Sequence, residues 1–110
     1  MANRQMRLAI VGSGSIAVRH ARTMRALIPD LQVTMIRLSD RPSSDPAIGG
    51  LIDNVATSWD EALEMRPDAA IVANAAIGHV NALERFLDAC VPVLVEKPIA
   101  VDHEAEISRL

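Results

Sequence analysis

Short apolar runs alternate along this chain with segments in which apolar residues recur at helical spacing. Runs such as Leu8-Ala9-Ile10-Val11 are apolar throughout, which is typical of strands buried on both faces of a sheet. Between the runs, apolar residues recur every three or four positions, as on the buried face of a helix. The pattern predicts strands at residues 8–11, 31–38, 54–56, 69–73 and 93–95, and helices at residues 15–28, 58–65, 78–90 and from 102 onward.

This alternation predicts an α/β fold with a doubly wound parallel sheet and helices on both faces. Parallel strands need crossover connections, and right-handed crossovers through helices cover both faces of such a sheet. The expected strand order is 3-2-1-4-5, which is Rossmann-like. The segment from Leu38 to Leu51 is rich in turn residues, and its end at Gly49-Gly50 is expected to be loop.

Three local features of the helices are predicted from residue type. Ser58 and Glu61 have capping-box spacing and are expected to open a brief helix. The helix at 78–90 is expected to turn Val80, Leu83, Phe86 and Leu87 inward. Cys90 lies at the end of that helix among apolar residues, so it is expected to be a buried structural thiol.

Length and composition indicate one small domain and exclude several classes of function. The chain has 110 residues, of which 50% are hydrophobic, and its apolar runs are too short to cross a bilayer. A formal charge of −3 and only two aromatic residues, Trp59 and Phe86, argue against a nucleic-acid partner. The single cysteine excludes an intrachain disulfide and a cysteine metal cluster, and no metal site is expected. The N-terminus lacks a small-residue cleavage site, so we expect a cytoplasmic protein without a membrane anchor.

A glycine motif follows the first predicted strand at Gly12-Ser13-Gly14-Ser15-Ile16-Ala17. The spacing G-x-G-x-x-A between a strand and a helix is typical of dinucleotide-binding turns. Gly12 permits the tight turn, Gly14 permits close approach of a pyrophosphate, and Ala17 permits close packing of helix on strand. The amide groups at the helix start, including those of Ser15 and Ile16, favour phosphate. The alternative is a purely structural tight turn.

Two further groups of candidates lie where predicted strands end. After the second strand, Asp40 would suit the ribose hydroxyls of NAD, whereas Arg37, with Ser39 and Arg41, would suit the 2′-phosphate of NADP. We favour NADP slightly; the alternative is that these are solvated turn residues. After the fourth strand, candidates to line a cofactor or substrate pocket come from the segment Asn74-Ala75-Ala76-Ile77-Gly78-His79. Asn74 has the alternative role of satisfying loop backbone groups, and His79 that of opening the next helix.

Lys97 is the only lysine of the chain, against ten arginines, and it follows the last predicted strand in Glu96-Lys97-Pro98. The carboxyl ends of parallel strands share one edge of the sheet, so Lys97 is expected near the glycine loop. A lysine amine, unlike a guanidinium, can accept a proton near neutral pH when its environment disfavours its charge. Lys97 is therefore the candidate for moving the hydroxyl proton during hydride transfer, and Glu96 is expected to orient its surroundings. The alternative is that the single lysine stands at this position by chance.

The glycine motif with His20 behind it, the segment from Ala73 to His79 and Glu96-Lys97-Pro98 together resemble the N-terminal domain of the glucose-fructose oxidoreductase, inositol dehydrogenase and rhizopine-catabolism (Gfo/Idh/MocA) family. The resemblance covers essentially the whole chain. It implies that the glycine loop binds the pyrophosphate of NAD or NADP and that Lys97 acts near the nicotinamide and a sugar, polyol or inositol substrate.

The chain departs from the family's pattern in ways that affect cofactor and activity. Asn74-Ala75 stands where Thr-Pro is frequent, and Arg37 or Leu38 stands where an acidic ribose ligand is usual. The family's substrate pocket lies in a second domain, and the last predicted helix still runs at Leu110. Residues 1–110 are therefore expected to be one dinucleotide-binding domain, cut before a C-terminal substrate domain and inactive alone.

These observations leave three hypotheses of different classes. The first is the NAD(P)-binding domain of an oxidoreductase with a small-molecule substrate. The second is a non-catalytic nucleotide-binding or sensing module, and the third is a structural Rossmann-like domain that binds no dinucleotide. Because a missing domain would uncover the last strand or the helix beside it, we also expect a homo-oligomer.

Overall fold

Five strands and four helices alternate along the part of the chain that the computed structural model describes, residues 5–12, 14–38, 48–73 and 79–95. In chain order the elements are β1 (Arg7–Val11), α1 (Ser15–Leu27), β2 (Gln32–Ile36), α2 (Ile48–Leu51), β3 (Asn54–Ala56), α3 (Trp59–Glu64), β4 (Ala69–Val72), α4 (His79–Asp88) and β5 (Val93–Val95). The helix expected from residue 102 onward lies outside the described residues.

The five strands form one parallel sheet in the order β3-β2-β1-β4-β5, which confirms the predicted fold class and strand order. β1 lies in the centre, where Val11 is in register with Ile36 of β2 and with Val72 of β4. All three of these side chains are buried. The uninterrupted apolar runs reflect this arrangement, because a central parallel strand is covered on both faces.

The core has two layers, one on each face of the sheet. Alternate residues of a strand point to opposite faces, so Val11 packs with Ala62 of α3 and Phe86 of α4, whereas Ile10 packs with Ala17 of α1. Small residues of the helices allow close approach to the strands. α1, which precedes β3, covers one face of the sheet, and α3 and α4, which follow β3, cover the other. The strand order reverses direction at β1, so the topological switch point lies between β1 and β4.

The predicted cap of α3 is present. Ser58 precedes the helix in extended conformation, and its hydroxyl oxygen accepts a hydrogen bond of 3.2 Å from the backbone N–H of Glu61. Trp59, the first helical residue, meets the ring of Phe86 edge-to-face with 5.4 Å between the ring centroids. The cap and the aromatic contact together fix where the chain leaves β3 and turns into α3.

The expectation of loop at Gly49-Gly50 is wrong, because Ile48–Leu51 forms the single helical turn α2. Glycine is a poor helix former, but tertiary contacts stabilise this turn. The Arg25 guanidinium donates to the carbonyl oxygen of Leu51 at 2.9 Å from Nη2 and 3.2 Å from Nε. Leu51 and the following Ile52 also pack against the core layer of α1.

The expectations for Cys90 and Leu87 are also wrong, since both are exposed. Leu87 lies beside the buried face of α4, which Val80, Ala82 and Phe86 form. The cause for Cys90 is the way α4 ends. The N–H of Cys90 donates to Leu87 and the N–H of Val91 donates to Phe86, which is the hydrogen-bond pattern of a Schellman cap. Cys90 has the left-handed φ of 59° that this cap requires, so the chain reverses there and buries Val91 instead.

Asp53 joins three elements at the amino edge of the sheet. Its carboxylate accepts 2.7 Å hydrogen bonds from the backbone N–H of Val33 at the start of β2 and from the guanidinium of Arg25 on α1. Burial acts to raise the pKa of Asp53, but the hydrogen bond from Val33 and the charge and hydrogen bond of Arg25 outweigh it, so the pKa lies below 3.8. The carboxylate therefore stabilises the folded state in its charged form.

We expect Asp53→Asn to lower the free energy of unfolding at pH 7 by up to about 1 kcal/mol, as for a partly exposed ion pair. A carboxyl group whose folded pKa is lowered contributes stability above its ordinary pKa and loses that contribution as the pH falls through the lowered value. The difference between wild type and variant should therefore begin to shrink as the pH falls below 3.8, and it should disappear only below the lowered pKa of the folded state. Denaturant unfolding at pH 7 and at a series of acid pH values measures this difference, with Asp30→Asn as an exposed control. A difference that stays constant as the pH falls would contradict the prediction.

Candidate dinucleotide site

The carboxyl ends of the central strands meet at one edge of the sheet, where the backbone ladder continues one residue past each strand. Gly12 donates its N–H to Ile36 at 3.0 Å, Arg37 donates to Ala56 at 2.8 Å, and Ala73 donates to Val11 at 2.9 Å. Gly12, Arg37 and Ala73 are thereby held side by side beyond β1, β2 and β4. This edge, at the topological switch, is where open α/β sheets bind ligands.

Gly12 makes the turn out of β1. Its φ of 118° lies in a region that glycine enters freely and residues with a side chain rarely adopt. The chain can thus leave the sheet within two residues and enter α1 at Ser15. Conformation alone explains why this position is glycine.

Gly14 is a different case, because neither its conformation nor its packing requires glycine. Its φ of −83° and ψ of −171° are extended values that any residue adopts. A Cβ built at Gly14 would meet no heavy atom within 4 Å, so the space beside the backbone is open. What a side chain at Gly14 would obstruct is access to the start of α1, which is the property that close approach of a ligand needs.

Among the described residues, no side chain caps the N-terminus of α1. Gly14 is the N-cap residue and offers no side-chain hydrogen bond, and the first turn has no acidic residue. Because Val18 makes the first bond within the helix, to Gly14 at 3.1 Å, the N–H groups of Ser15, Ile16 and Ala17 are left to other acceptors. α3 contrasts with α1, since a serine cap and two acidic residues occupy its first turn.

Ile16 and Ala17, in the first turn of α1, differ in exposure. Ile16 is 42% exposed on the outer side of the first turn. Ala17 is fully buried in the layer between α1 and the sheet, where it packs with Leu8 and Ile10. A larger residue at position 17 would push the helix start away from the strand, so Ala17 fixes where the free N–H groups lie.

Arg37 and Leu38 follow β2 at the same edge. The Arg37 side chain is half-buried, and Leu38 is 45% exposed. No ion pair to Arg37 is formed by the acidic side chains of residues 5–12, 14–38, 48–73 and 79–95. Leu38, which directly follows Arg37, therefore presents an aliphatic side chain and not a carboxylate at the end of β2.

Several predicted site residues fall outside the described part of the chain: Asp40, Asn74, Ala75, Glu96 and Lys97. His79 is the first residue of α4, and its side chain is likewise not described. The described residues on either side are Ala73, which follows β4, and Val95, which ends β5 in register with Val72. Thr57, which was not among the residues selected from the sequence, is an exposed hydroxyl residue that directly follows β3.

The described residues contain neither a metal-ligand cluster nor a helix that could span a membrane. No group of three or more histidine, cysteine, aspartate or glutamate side chains there is arranged to hold a metal ion. Within the same residues, none of the helices has the length and apolar character needed to span a bilayer.

Comparison with known proteins assigns the chain to a family. The family model described as "Oxidoreductase family, NAD-binding Rossmann fold", GFO_IDH_MocA, matches residues 6–110. The chain belongs to the Gfo/Idh/MocA oxidoreductases. This confirms the resemblance inferred from the sequence motifs. The match makes the glycine loop and α1 part of an NAD-binding Rossmann domain.

The Gfo/Idh/MocA relatives include inositol dehydrogenases. Myo-inositol dehydrogenase Hyg17 of Streptomyces leeuwenhoekii is 31% identical over 97 residues, which are 88% of this chain and 30% of that protein. Apo scyllo-inositol dehydrogenase of Lactobacillus casei superposes with a TM-score of 0.78 at 26% identity, over 99% of this chain and 32% of that one.

A second structure of the Lactobacillus casei enzyme contains bound cofactor NAD(H) and scyllo-inositol; it gives a TM-score of 0.77 at 25% identity, over 96% of this chain and 32% of that chain. This Gfo/Idh/MocA chain therefore spans about a third of the length of these relatives.

Proposed function

We propose that this chain is the dinucleotide-binding domain of an oxidoreductase that transfers a hydride between a nicotinamide cofactor and a sugar, polyol or inositol-like substrate. The observation that carries the proposal is Gly14. Glycine there is required neither by φ and ψ nor by packing, and it leaves open space at a helix start with free N–H groups. The family match and the inositol dehydrogenase relatives support the same reaction class.

The residues present fit a pyrophosphate at the start of α1. The free N–H groups of Ser15, Ile16 and Ala17 offer hydrogen bonds to phosphate oxygens, and the helix macrodipole adds a partial positive charge. The absence of an acidic residue in the first turn avoids repulsion of the ligand. Gly12 supplies the turn that brings this helix start over the sheet edge.

The cofactor we favour is NADP, with NAD as the alternative. Arg37 is the cation at the end of β2, and the exposed Leu38 offers no carboxylate to the ribose hydroxyls. A 2′-phosphate near Arg37 would gain a charge-assisted hydrogen bond. NAD is favoured by the description of the family as NAD-binding and by the NAD(H) bound to the Lactobacillus casei relative.

We propose that Lys97 accepts the hydroxyl proton of the substrate during the reaction. A bound nicotinamide supplies the hydride acceptor when the substrate alcohol is oxidised. The Lys97 amine would accept the hydroxyl proton as the carbinol carbon gives up its hydride, and a carbonyl would remain. Support comes from β5, which ends at Val95 beside Val72, two residues before Lys97. Glu96, Asn74, Ala75 and His79 remain proposed pocket residues.

The substrate class and the need for further protein are also proposals. The relatives are about three times as long as this chain, and they include dehydrogenases of myo-inositol and scyllo-inositol. We propose that substrate binding needs a second domain and that the 110-residue chain alone does not turn over substrate. Self-association through the β5 edge is proposed on the 57% exposure of Leu94.

Calorimetric titration of the 110-residue chain with NADPH and with NADH tests the proposal. We expect saturable binding of both dinucleotides, with NADPH bound about tenfold more tightly because of one additional charge-assisted hydrogen bond. Adenosine, which lacks the pyrophosphate, serves as the control and should bind much more weakly. Absence of heat with either dinucleotide at millimolar concentration would contradict the proposed function.

A further inference from the structure

We propose that Thr57, in the turn between β3 and α3, is a second binding residue for the 2′-phosphate of the cofactor and acts together with Arg37. The inference rests on the proposed function and deepens it. It adds to the site a residue from a third strand, one that sequence reasoning did not select. The register of β2 and β3 places Thr57 beside Arg37.

Register places Arg37 and Thr57 next to each other. The last paired residues of the two strands are Ile36 and Ala56. The ladder then continues, because the Arg37 N–H donates to the Ala56 carbonyl at 2.8 Å. Arg37 and Thr57 are therefore the next facing pair, about 4.8 Å apart, the spacing of adjacent strands.

The two side chains also start from the same face of the sheet. Ile36 and Ala56 are both buried in the layer under α3 and α4. Because successive residues alternate between faces, Arg37 and Thr57 leave the sheet on the opposite face, which α1 covers. Val11 faces Ile36, so Gly12 continues the same row on the other side of Arg37. The row thus runs from the glycine turn through the guanidinium to the hydroxyl.

Thr57 is the hydroxyl residue of this turn that remains available to a ligand. Its neighbour Ser58 is already engaged, since its hydroxyl oxygen caps α3 through Glu61. Thr57 is exposed, and no described contact occupies its hydroxyl. A hydroxyl donates to a phosphate oxygen without adding charge, so it complements the guanidinium of Arg37.

The electrostatic surroundings are compatible with a phosphate. The acidic residues that follow along the chain, Asp60 and Glu61, belong to α3 on the other face of the sheet. Among residues 5–12, 14–38, 48–73 and 79–95, the remaining carboxylate near β3 is that of Asp53, which lies at the opposite end of the strand and is paired with Arg25. Among the described residues, the α1 face of this row thus presents a cation and a hydroxyl at the position where the phosphate would bind.

Thr57→Val removes the hydroxyl and keeps a β-branched shape, and it is the decisive variant. We expect the Kd of NADPH to rise about tenfold, as for loss of one hydrogen bond to a charged group, while the Kd of NADH changes less than twofold. Thr57→Ser keeps the hydroxyl and should retain the wild-type preference. Thr23→Val, an exposed threonine on α1, is the matched control and should change neither Kd.

Outcomes of the titration separate this inference from the proposed function. Equal weakening of NADPH and NADH by Thr57→Val, or no weakening of either, overturns the assignment of Thr57 while dinucleotide binding stands. A wild-type chain that prefers NADH overturns it in the same way. A wild-type chain that binds neither dinucleotide overturns the proposed function, and the inference with it. The same comparison with 2′,5′-ADP and 5′-AMP isolates the 2′-phosphate from the nicotinamide half.

Discussion

Lys97→Ala is expected to lower kcat by about two to four orders of magnitude in a longer protein that contains this chain, the range typical of a lost general base. Removing the amine leaves the substrate hydroxyl without a proton acceptor as the hydride departs. Cofactor binding should be retained, with the Kd of NADPH within about twofold, because the proposed binding groups are those of α1 for the pyrophosphate and Arg37 for the 2′-phosphate. Steady-state kinetics with NADP and an inositol, together with cofactor titration, measure both effects.

Lys97→Arg distinguishes proton transfer from charge. A guanidinium keeps the positive charge but does not release its proton near neutral pH, so this variant should be nearly as inactive as Lys97→Ala. Arg85→Ala, on the exposed side of α4, is the surface control and should keep full activity. Turnover by Lys97→Ala at the wild-type rate would refute the assignment of the proton to Lys97.

Gly14→Ala is expected to weaken binding of NADPH and NADH alike by at least about tenfold, since displacement of the pyrophosphate costs one or more charge-assisted hydrogen bonds. The methyl group would occupy the open space beside the α1 N-terminus. Folding should be nearly unaffected, with a change within about 1 kcal/mol, because φ and ψ at Gly14 suit alanine and only a helix-cap preference is lost. Titration and denaturant unfolding of the same sample separate the two effects.

Gly50→Ala is the matched control for this substitution. A Cβ at Gly50 also meets nothing within 4 Å, but Gly50 lies in α2 and not at the glycine loop. We expect unchanged dinucleotide affinity and a stability gain of about 0.5–1 kcal/mol, as for glycine replaced within a helix. Equal affinity of Gly14→Ala and wild type would show that the open space at Gly14 is not a phosphate site.

The arrangement of the sheet was predictable because it depends on signals that are local in sequence. Runs such as Ala69–Val72 are apolar on every residue, and each is followed by a helical pattern, so parallel strands with helical crossovers are the expected solution. The cap at Ser58 was predictable for the same reason, since donor and acceptor are three residues apart.

The features that were missed depend on contacts distant in sequence or on a reversal of the chain. The helical turn at Gly49-Gly50 is stabilised by Arg25, which lies on another helix, so propensity alone predicted loop. Cys90 is exposed because a left-handed cap turns the chain at that residue, and helical periodicity cannot foresee where such a cap falls. Leu87 is exposed because it lies beside the buried face of α4, which Val80, Ala82 and Phe86 form and which is narrower than the apolar pattern predicted.

The candidate site was predictable only in part. The glycine loop is read from spacing alone, and the structure adds that Gly12 is needed for its φ whereas Gly14 is not. Thr57 carries no motif, and its relation to Arg37 depends on the register of a three-residue strand, β3. The sequence predicts a role for Lys97 because it follows the last strand and is the only lysine of the chain. That role stays a prediction.

Pyrophosphate binding at the start of α1 is tested most directly by mapping which backbone amide groups of the 110-residue chain respond to cofactor. The chain would be labelled with nitrogen-15 and its amide spectrum recorded during titration with NADPH. A pyrophosphate at the start of α1 predicts the largest shifts at Gly12, Gly14, Ser15, Ile16 and Ala17. Saturable binding that leaves these five amides unchanged would contradict the account.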